Sequence, residues 1–132
     1  DADIVSGNDR TPQDPLLSHG FALFRARPAL VDFLVAAAVR QQSFFSQTGD
    51  GGNEQLHWQE MLRGEFRDRV RVSFLDQDKY VNGQRFSDRS PRIVVRQNNW
   101  ITGNAAKVAR AKAEGWWFVQ PDGASCVSSP LT

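Results

Sequence analysis

The sequence has few of the residues that build metal and redox sites: one cysteine and two histidines in 132 residues. The lone Cys126 excludes an intrachain disulfide and a zinc site made of several cysteines. It has no adjacent base to activate it, so we expect an unreactive small hydrophobic side chain rather than a nucleophile. We expect no metal and no cofactor. A chain without disulfides is common in the cytosol but also occurs elsewhere, so the compartment stays open, with the cytoplasm slightly favoured.

Long hydrophobic runs and an excess of one charge are also missing. The longest apolar stretch, residues 29–39, is interrupted by Asp32 and is too short to cross a bilayer. It also lacks the position and charge order of a signal peptide. The formal net charge is +1, which neither requires nor excludes a nucleic-acid partner. Thirteen of the sixteen basic residues are arginine, which fits GC-rich coding and a bacterial or phage-like setting, or recognition of phosphate and carboxylate groups.

Aromatic residues, in contrast, are plentiful, with nine Phe, four Trp and one Tyr. This content and the length predict a single domain with one core. Residues 1–20 are rich in Asp, Ser, Gly, Asn and Pro and predict an irregular acidic arm. Residues 21–132 are expected to form the domain itself.

Local signals place three helices. Pro28 suits a first helical turn, and the nearly all-apolar segment after it predicts a central core helix that ends by about Gly49. Asn53 can cap a second helix. A third helix is expected before Gly115, with Thr102 or Asn104 as its cap and Ala105, Ala109 and Ala113 on its inner face.

Strand signals lie between and after these helices. RVRVSFL alternates apolar and polar residues, and Asn82-Gly83 predicts a hairpin between residues 79–81 and 84–86. RIVVRQ, WWFVQ and SCVS predict further strands, with a turn at Pro121-Asp122-Gly123. The expected fold is therefore an α+β single domain. It has a mixed β-sheet of about four to six short strands, with two N-terminal helices and one C-terminal helix packed mainly on one face.

Residues 84–115 are basic, with seven cations against Asp88 and Glu114. Arginine binds phosphate, asparagine can hydrogen-bond adenine, and an exposed tryptophan can stack on a base. The polar face of the strand RVRVSFL adds two arginines, although charge there also keeps a strand edge soluble. The residues predicted to contact nucleic acid are Arg69, Arg71, Arg89, Arg92, Arg96, Asn99, Trp100, Lys107 and Arg110. The sequence carries no helix-turn-helix, RNA-recognition or zinc-finger motif, and the segment also fits an ordinary solvated helix beside its strands.

Three weaker patterns point elsewhere. His57 and Glu60, three residues apart on a predicted helix, could share a proton or a metal ion, although separate surface contacts are the commoner outcome. Asp76 and Asp78 resemble part of a calcium loop but lack its glycine and final glutamate, so we expect a turn. In the strand WWF, Trp117 points away from its neighbours and could be covered by the arm or by a partner.

The sequence therefore predicts a non-catalytic binding module that contacts an anionic partner, nucleic acid first, through the segment from Arg85 to Lys112. The alternative is a protein–protein assembly or structural module, or a homo-oligomer, that uses the 1–20 arm and Trp117. A third hypothesis is a small hydrolase or nuclease around His57 and Glu60. No membrane span is expected.

Overall fold

The protein has the predicted α+β class. The computed structural model describes residues 1–11, 13–50, 52–120, 122–123 and 125–126. The strands are β1 (Ile4–Asn8), β2 (Leu17–Phe24), β3 (Val72–Phe74), β4 (Tyr80–Val81) and β5 (Val95–Arg96), and the helices are α1 (Pro28–Thr48), α2 (Glu54–Arg63) and α3 (Asn104–Ala113). They fall into two compact units, unit 1 (Asp1–Tyr80) and unit 2 (Val81–Thr132).

Unit 1 is built on a mixed three-stranded sheet with the order β2-β1-β3. β1 runs antiparallel to β2, with Ile4 opposite Phe24, and parallel to β3, with Ile4 opposite Val72. The pairing of β1 with β2 shifts register between Ser6 and Asn8, as in a β-bulge. The segment predicted to be an irregular arm therefore supplies the central strand of this sheet.

Buried polar side chains explain why β1 does not look like a strand in the sequence. Ser6 is fully buried; its hydroxyl donates to the Ser18 carbonyl and accepts from the Ser18 N–H. Asn8 Oδ1 accepts from the backbone N–H groups of Arg10 and Leu16. These partners satisfy groups that would otherwise be costly to bury. β1 therefore has no apolar alternation to reveal it.

Helix α1 begins and ends, and helix α2 begins, where local signals predicted. Pro28 occupies the first turn of α1, and Gly49 ends it with a φ of 69°, in the left-handed region that glycine favours. The side chain of Asn53 accepts from the N–H of Gln55 at the start of α2. Leu30, Phe33 and Ala37 of α1 are buried with Met61 of α2, strand residues Ile4 and Leu17, and Phe66 and Val70.

The prediction that α1 is a central helix buried nearly all round is wrong. Val31, Val35 and Val39 follow one another at helical spacing and are 52%, 59% and 59% exposed. The apolar sequence of α1 serves a single buried face, and a valine stripe remains at the surface. None of the helices in the described part of the chain is long and apolar enough to cross a membrane.

Unit 2 contains β5, α3 and a short 3₁₀ helix (Gly83–Arg85) that replaces the predicted hairpin. The carbonyl of Val81 in β4 accepts from the N–H of Gln97 just after β5, within a two-stranded sheet. Asn82 caps the 3₁₀ helix, since its side chain accepts from the N–H of Gln84. A Cβ at Gly83 would overlap the carbonyl oxygen of Asn99, so this position needs glycine for close approach rather than for a turn.

The remaining strand predictions for unit 2 are only partly met. Of RIVVRQ, only Val95 and Arg96 form a strand. The WWFVQ and SCVS segments meet in an isolated antiparallel bridge between Val119 and Cys126. Cys126 is a free cysteine and is exposed. Pro121 of the predicted turn and residues 127–128 of the predicted last strand lie outside the described residues.

The orientation of α3 is the reverse of the predicted one. Ala105, Ala109 and Ala113 are exposed, whereas Ala111 is buried and Arg110 is half-buried. Gly103, with a φ of 86°, occupies the N-cap position, where no side chain caps the helix, instead of Thr102 or Asn104. The inward face of α3 is set by what Arg110 contacts rather than by the alanine stripe.

Candidate functional site

Charge is distributed unevenly between the two units. Unit 1 has nine Lys and Arg against twelve Asp and Glu, a net charge of −3. Unit 2 has seven Lys and Arg against Asp88, Glu114 and Asp122, a net charge of +4. The overall charge of +1 therefore conceals a strongly basic unit 2, where an anionic partner would be attracted.

The two predicted contact residues of unit 1 lie beside carboxylates. Arg69 and Arg71 are both exposed on the segment that leads into β3. Nη2 of Arg69 lies 2.5 Å from Oδ2 of Asp32, and its guanidinium lies over the ring of Phe66. Arg71 Nε lies 3.8 Å from Oδ2 of Asp3. Their charges are balanced locally, within a unit that is acidic overall.

Arg110 lies at the centre of a hydrogen-bond network inside unit 2. Its Nε donates to Asn98 Oδ1 (2.7 Å), its Nη1 to the Gly83 carbonyl (3.1 Å) and its Nη2 to the Asn99 carbonyl (2.6 Å). Nη2 also donates to Asn98 Oδ1. The guanidinium lies 4.7 Å from the centre of the Phe86 ring. The network joins α3 to the 3₁₀ helix and to the loop after β5.

Asn99 belongs to the same network. Its Oδ1 accepts a hydrogen bond from the N–H of Gly83 at 2.5 Å, and its backbone carbonyl accepts one from Nη2 of Arg110. The carbonyl of Lys107 accepts from Asn98 Nδ2, and Lys107 is half-buried. These three sequence-predicted contacts are therefore brought together, but around an internal network.

Trp100 and Arg92 are exposed elsewhere on unit 2. Trp100 is 54% exposed and has a φ of 57°, the only positive φ of a non-glycine residue in the described part of the chain. Such a conformation is unfavourable for a bulky residue and has to be held by its surroundings. Arg92 is exposed, and its backbone N–H donates to the hydroxyl of Ser90.

Arg89 and Arg96 converge on one indole ring, that of Trp116. The guanidinium carbon of Arg96 lies 4.3 Å from the ring centre and that of Arg89 lies 5.8 Å from it. Arg96 donates to the carbonyls of Phe86 (2.7 Å) and Asp88, which fixes its position. Burial lowers the pKa of Arg96, and the neighbouring charge of Arg89 lowers it further. Arginine still stays charged at neutral pH, so two cations share one aromatic face.

A carboxylate on α3's C-terminal side holds Arg89 in place. Arg89 Nη2 donates to Glu114 Oε2 at 2.6 Å, and the hydroxyl of Ser87 donates to Glu114 Oε1 at 2.5 Å. The bond from Ser87 and the charge of Arg89 lower the pKa of Glu114, which is therefore ionised at neutral pH. Arg89 and Arg96, here called the arginine pair, together with Glu114 have a net charge of +1.

The arginine pair lines a pocket of about 470 Å³ within unit 2. Its apolar walls come from Pro91, Ile93, Val94 and Phe118, and Trp116 also lines it. The sequence predicted the arginines but not this pocket. Trp116 follows α3 only after the break at Gly115, and no spacing rule connects it to residues 89–96.

The residues of the enzyme hypothesis have separate partners. Nδ1 of His57 lies 3.0 Å from Oε1 of Gln41, and Glu60 accepts from Arg40 Nη2 at 2.5 Å. Asp76 forms the predicted turn, since its Oδ1 accepts from the N–H of Asp78. No group of three or more His, Cys, Asp and Glu side chains within the described residues could hold a metal ion.

The 1–20 segment and Trp117, which the assembly hypothesis needs at the surface, make contacts within the molecule. Ile4 and Leu17 of the 1–20 segment are fully buried in the core of unit 1. Trp117 is half-buried, with the ammonium of Lys112 lying 5.7 Å from its ring centre.

Comparisons with known proteins identify no relative of this chain. No family model matches the chain, and no curated protein and no solved structure matches it.

Proposed function

We propose that the protein is a non-catalytic binding module whose unit 2 contacts single-stranded nucleic acid. The observation that supports this most is the convergence of Arg89 and Arg96 on Trp116 beside a pocket with apolar walls. Proteins that bind single strands combine a positively charged surface, which follows the phosphates, with aromatic and apolar surface for the bases. The net charge of +4 on unit 2 supplies the first requirement.

This proposal uses fewer residues than the sequence predicted. It relies on Arg89 and Arg96 for phosphate, with Arg92 and Lys107 adding to the field. Arg110 and Asn99 are assigned to the internal network that holds unit 2 together, because their polar atoms bond there.

Salt dependence of binding to a labelled oligothymidylate tests the proposal. Each phosphate neutralised on a single strand contributes a slope of about −0.7 to the logarithm of affinity against the logarithm of salt concentration. If three phosphates are contacted, the slope is about −2, so a fourfold rise in salt weakens binding about 16-fold. Affinity that does not change with salt, or no binding at low salt, contradicts the proposal.

A pair of variants locates the contact. Arg89→Gln should weaken binding, whereas Arg40→Gln, which removes the same charge from an exposed position in unit 1, should have little effect. An acidic peptide such as polyglutamate serves as competitor. If it displaces the oligonucleotide at equal charge concentration, the partner is defined by charge alone and nucleic acid is not the specific partner.

A second candidate function is self-association through the valine stripe of α1. Three exposed valines on one face of a long helix form the kind of apolar surface that a partner covers. A second copy of the chain would present the same stripe, and two such helices could pack face to face. Sedimentation over a range of concentrations should then show a dimer that Val35→Gln weakens and that Val94→Gln, at an exposed valine of unit 2, does not. A monomer at every concentration excludes this candidate.

A further inference from the structure

The pocket of unit 2 has the features of a site for one unstacked base. Its volume, about 470 Å³, lies within the range of about 300–1,000 Å³ that is typical of ligand pockets. Its walls join apolar side chains to two guanidinium groups. A nucleotide has the matching parts, because its base is flat and largely apolar on its faces and its phosphate is anionic.

Trp116 contributes a second observation, an unpaired hydrogen-bond donor. Its indole N–H is one of only three buried side-chain polar atoms without a hydrogen-bond partner in the described part of the chain. A buried donor without an acceptor costs about 1–3 kcal/mol. Trp116 also lines the pocket, so a base carbonyl or a phosphate oxygen could accept this bond if the ring turned towards the pocket on binding.

Two exposed apolar side chains at the pocket have no evident role in the fold. Val94 is 77% exposed and Phe118 is 36% exposed. Covering such an apolar surface with a base is favourable. Stacking on an aromatic ring accepts any of the bases, because every base has a flat π face. The guanidinium of Arg96 is held in place by its two carbonyl acceptors, so it is already positioned for a phosphate.

We infer that this pocket receives a single unstacked base of the bound strand, with Phe118 and Val94 against the base and Arg89 and Arg96 on its phosphate. This inference rests on the proposed function and identifies where on unit 2 the base is held. The site prefers no particular base, because its contacts are apolar faces and charges rather than a set of base-edge partners.

The first experiment compares oligothymidylate with a strand of equal length whose residues are abasic. Both carry the same phosphates, so charge alone gives equal affinity. We expect the abasic strand to bind at least tenfold more weakly, in line with the usual effect of base stacking. Quenching of tryptophan fluorescence on addition of thymidine monophosphate, and its loss in Trp116→Phe, reports the same contact.

Variants then locate the base. Phe118→Ala should weaken binding of oligothymidylate about tenfold while leaving the abasic strand unaffected. Phe45→Ala, which removes an exposed phenylalanine from α1, is the matched control and should change neither. Val94→Glu, at an exposed position that tolerates substitution, should weaken binding more than Val94→Gln, so the test does not depend on the folding of the Phe118 variant.

The outcomes separate this inference from the proposed function. Equal binding of both strands shows that only phosphates are contacted, which overturns the base pocket and leaves nucleic-acid binding in place. Loss of binding in Trp100→Asn but not in Phe118→Ala places the base at Trp100 and also overturns it. Absence of oligonucleotide binding at low salt removes both.

Discussion

Replacing Arg110 with lysine distinguishes an internal structural arginine from a phosphate contact. Both side chains are cationic, so a phosphate contact at this position would tolerate the change with a modest loss of affinity. A structural role would not, because a guanidinium donates from several directions at once and an ammonium on a flexible stem cannot reproduce that geometry. Arg110 donates to Asn98, Gly83 and Asn99 and lies over Phe86.

The structure gives the size of the effect. A hydrogen bond to a charged group contributes about 1.5–3 kcal/mol. Lysine can retain one of the three acceptors and part of the contact with the Phe86 ring, so two such bonds are lost. We expect Arg110→Lys to destabilise unit 2 by about 3 kcal/mol. With a urea dependence of about 1–3 kcal/mol per molar, the unfolding midpoint falls by more than about 1 M.

Urea unfolding followed by tryptophan fluorescence measures this loss. Three of the four tryptophans, Trp100, Trp116 and Trp117, lie in unit 2, so the signal reports mainly on that unit. Arg85→Lys is the matched control, since Arg85 is exposed and its Nη2 pairs with Asp88 Oδ2 at the surface. Equal midpoints for Arg110→Lys and Arg85→Lys would refute the structural role and return Arg110 to the nucleic-acid contacts.

Two further predictions concern Tyr80, the only tyrosine, which is buried in unit 1 and donates to Ser18 Oγ. Burial raises the pKa of Tyr80 to about 12, whereas the pKa in the unfolded state is about 10. Between these two values the folded state keeps a proton that the unfolded state releases. The contribution of Tyr80 to the free energy of unfolding is therefore fully present below pH 10 and falls by about 1.4 kcal/mol per pH unit between pH 10 and 12. Ultraviolet titration should find a midpoint near 12 in the native protein and near 10 in urea, and a native midpoint near 10 contradicts the burial argument. A Cβ at Gly7 would overlap the Tyr80 ring, so Gly7→Ala should lower the free energy of unfolding in urea by about 1–3 kcal/mol. Most of this loss should disappear when Tyr80 is also replaced by alanine. An equal loss in the Tyr80→Ala background would show that the overlap with the ring is not its cause.

The limits of α1 and the start of α2 could be predicted because their signals are local. Proline in the first turn of α1, Asn53 at the start of α2 and Gly49 in the left-handed region act within a few residues of the helix end. The alternation around Val70 and Val72 similarly predicted β3, although only Val72–Phe74 pairs as a strand. Such features depend on backbone geometry alone and therefore appear in the sequence itself.

The elements that were not predicted depend on distant partners. β1 could not be predicted because its buried polar residues Ser6 and Asn8 depend on hydrogen bonds to residues in and next to the neighbouring strand β2. Asn82-Gly83 matched the hairpin signal, yet Gly83 is needed for the close approach of Asn99 from sixteen residues away. In α3 the alanine stripe predicted the wrong inner face, because the acceptors around Arg110 outweighed the small burial gain of alanine.

The candidate site shows why counting arginines predicted a basic surface but not its contact residues. A carboxylate cancels the charge of an arginine, whereas a carbonyl holds the guanidinium and leaves the full positive charge in place. Arg96 contacts carbonyls, so it is fixed in position and still attracts anions; it uses two of its five N–H donors in these bonds. Arg69, beside Asp32, is more exposed to solvent than Arg96 but contributes little net field. Contact residues for an anion should therefore be sought first among arginines held by backbone carbonyls at a surface pocket, here Arg96. Arg89 beside it is balanced in part by Glu114, so it adds less to the field than Arg96 does.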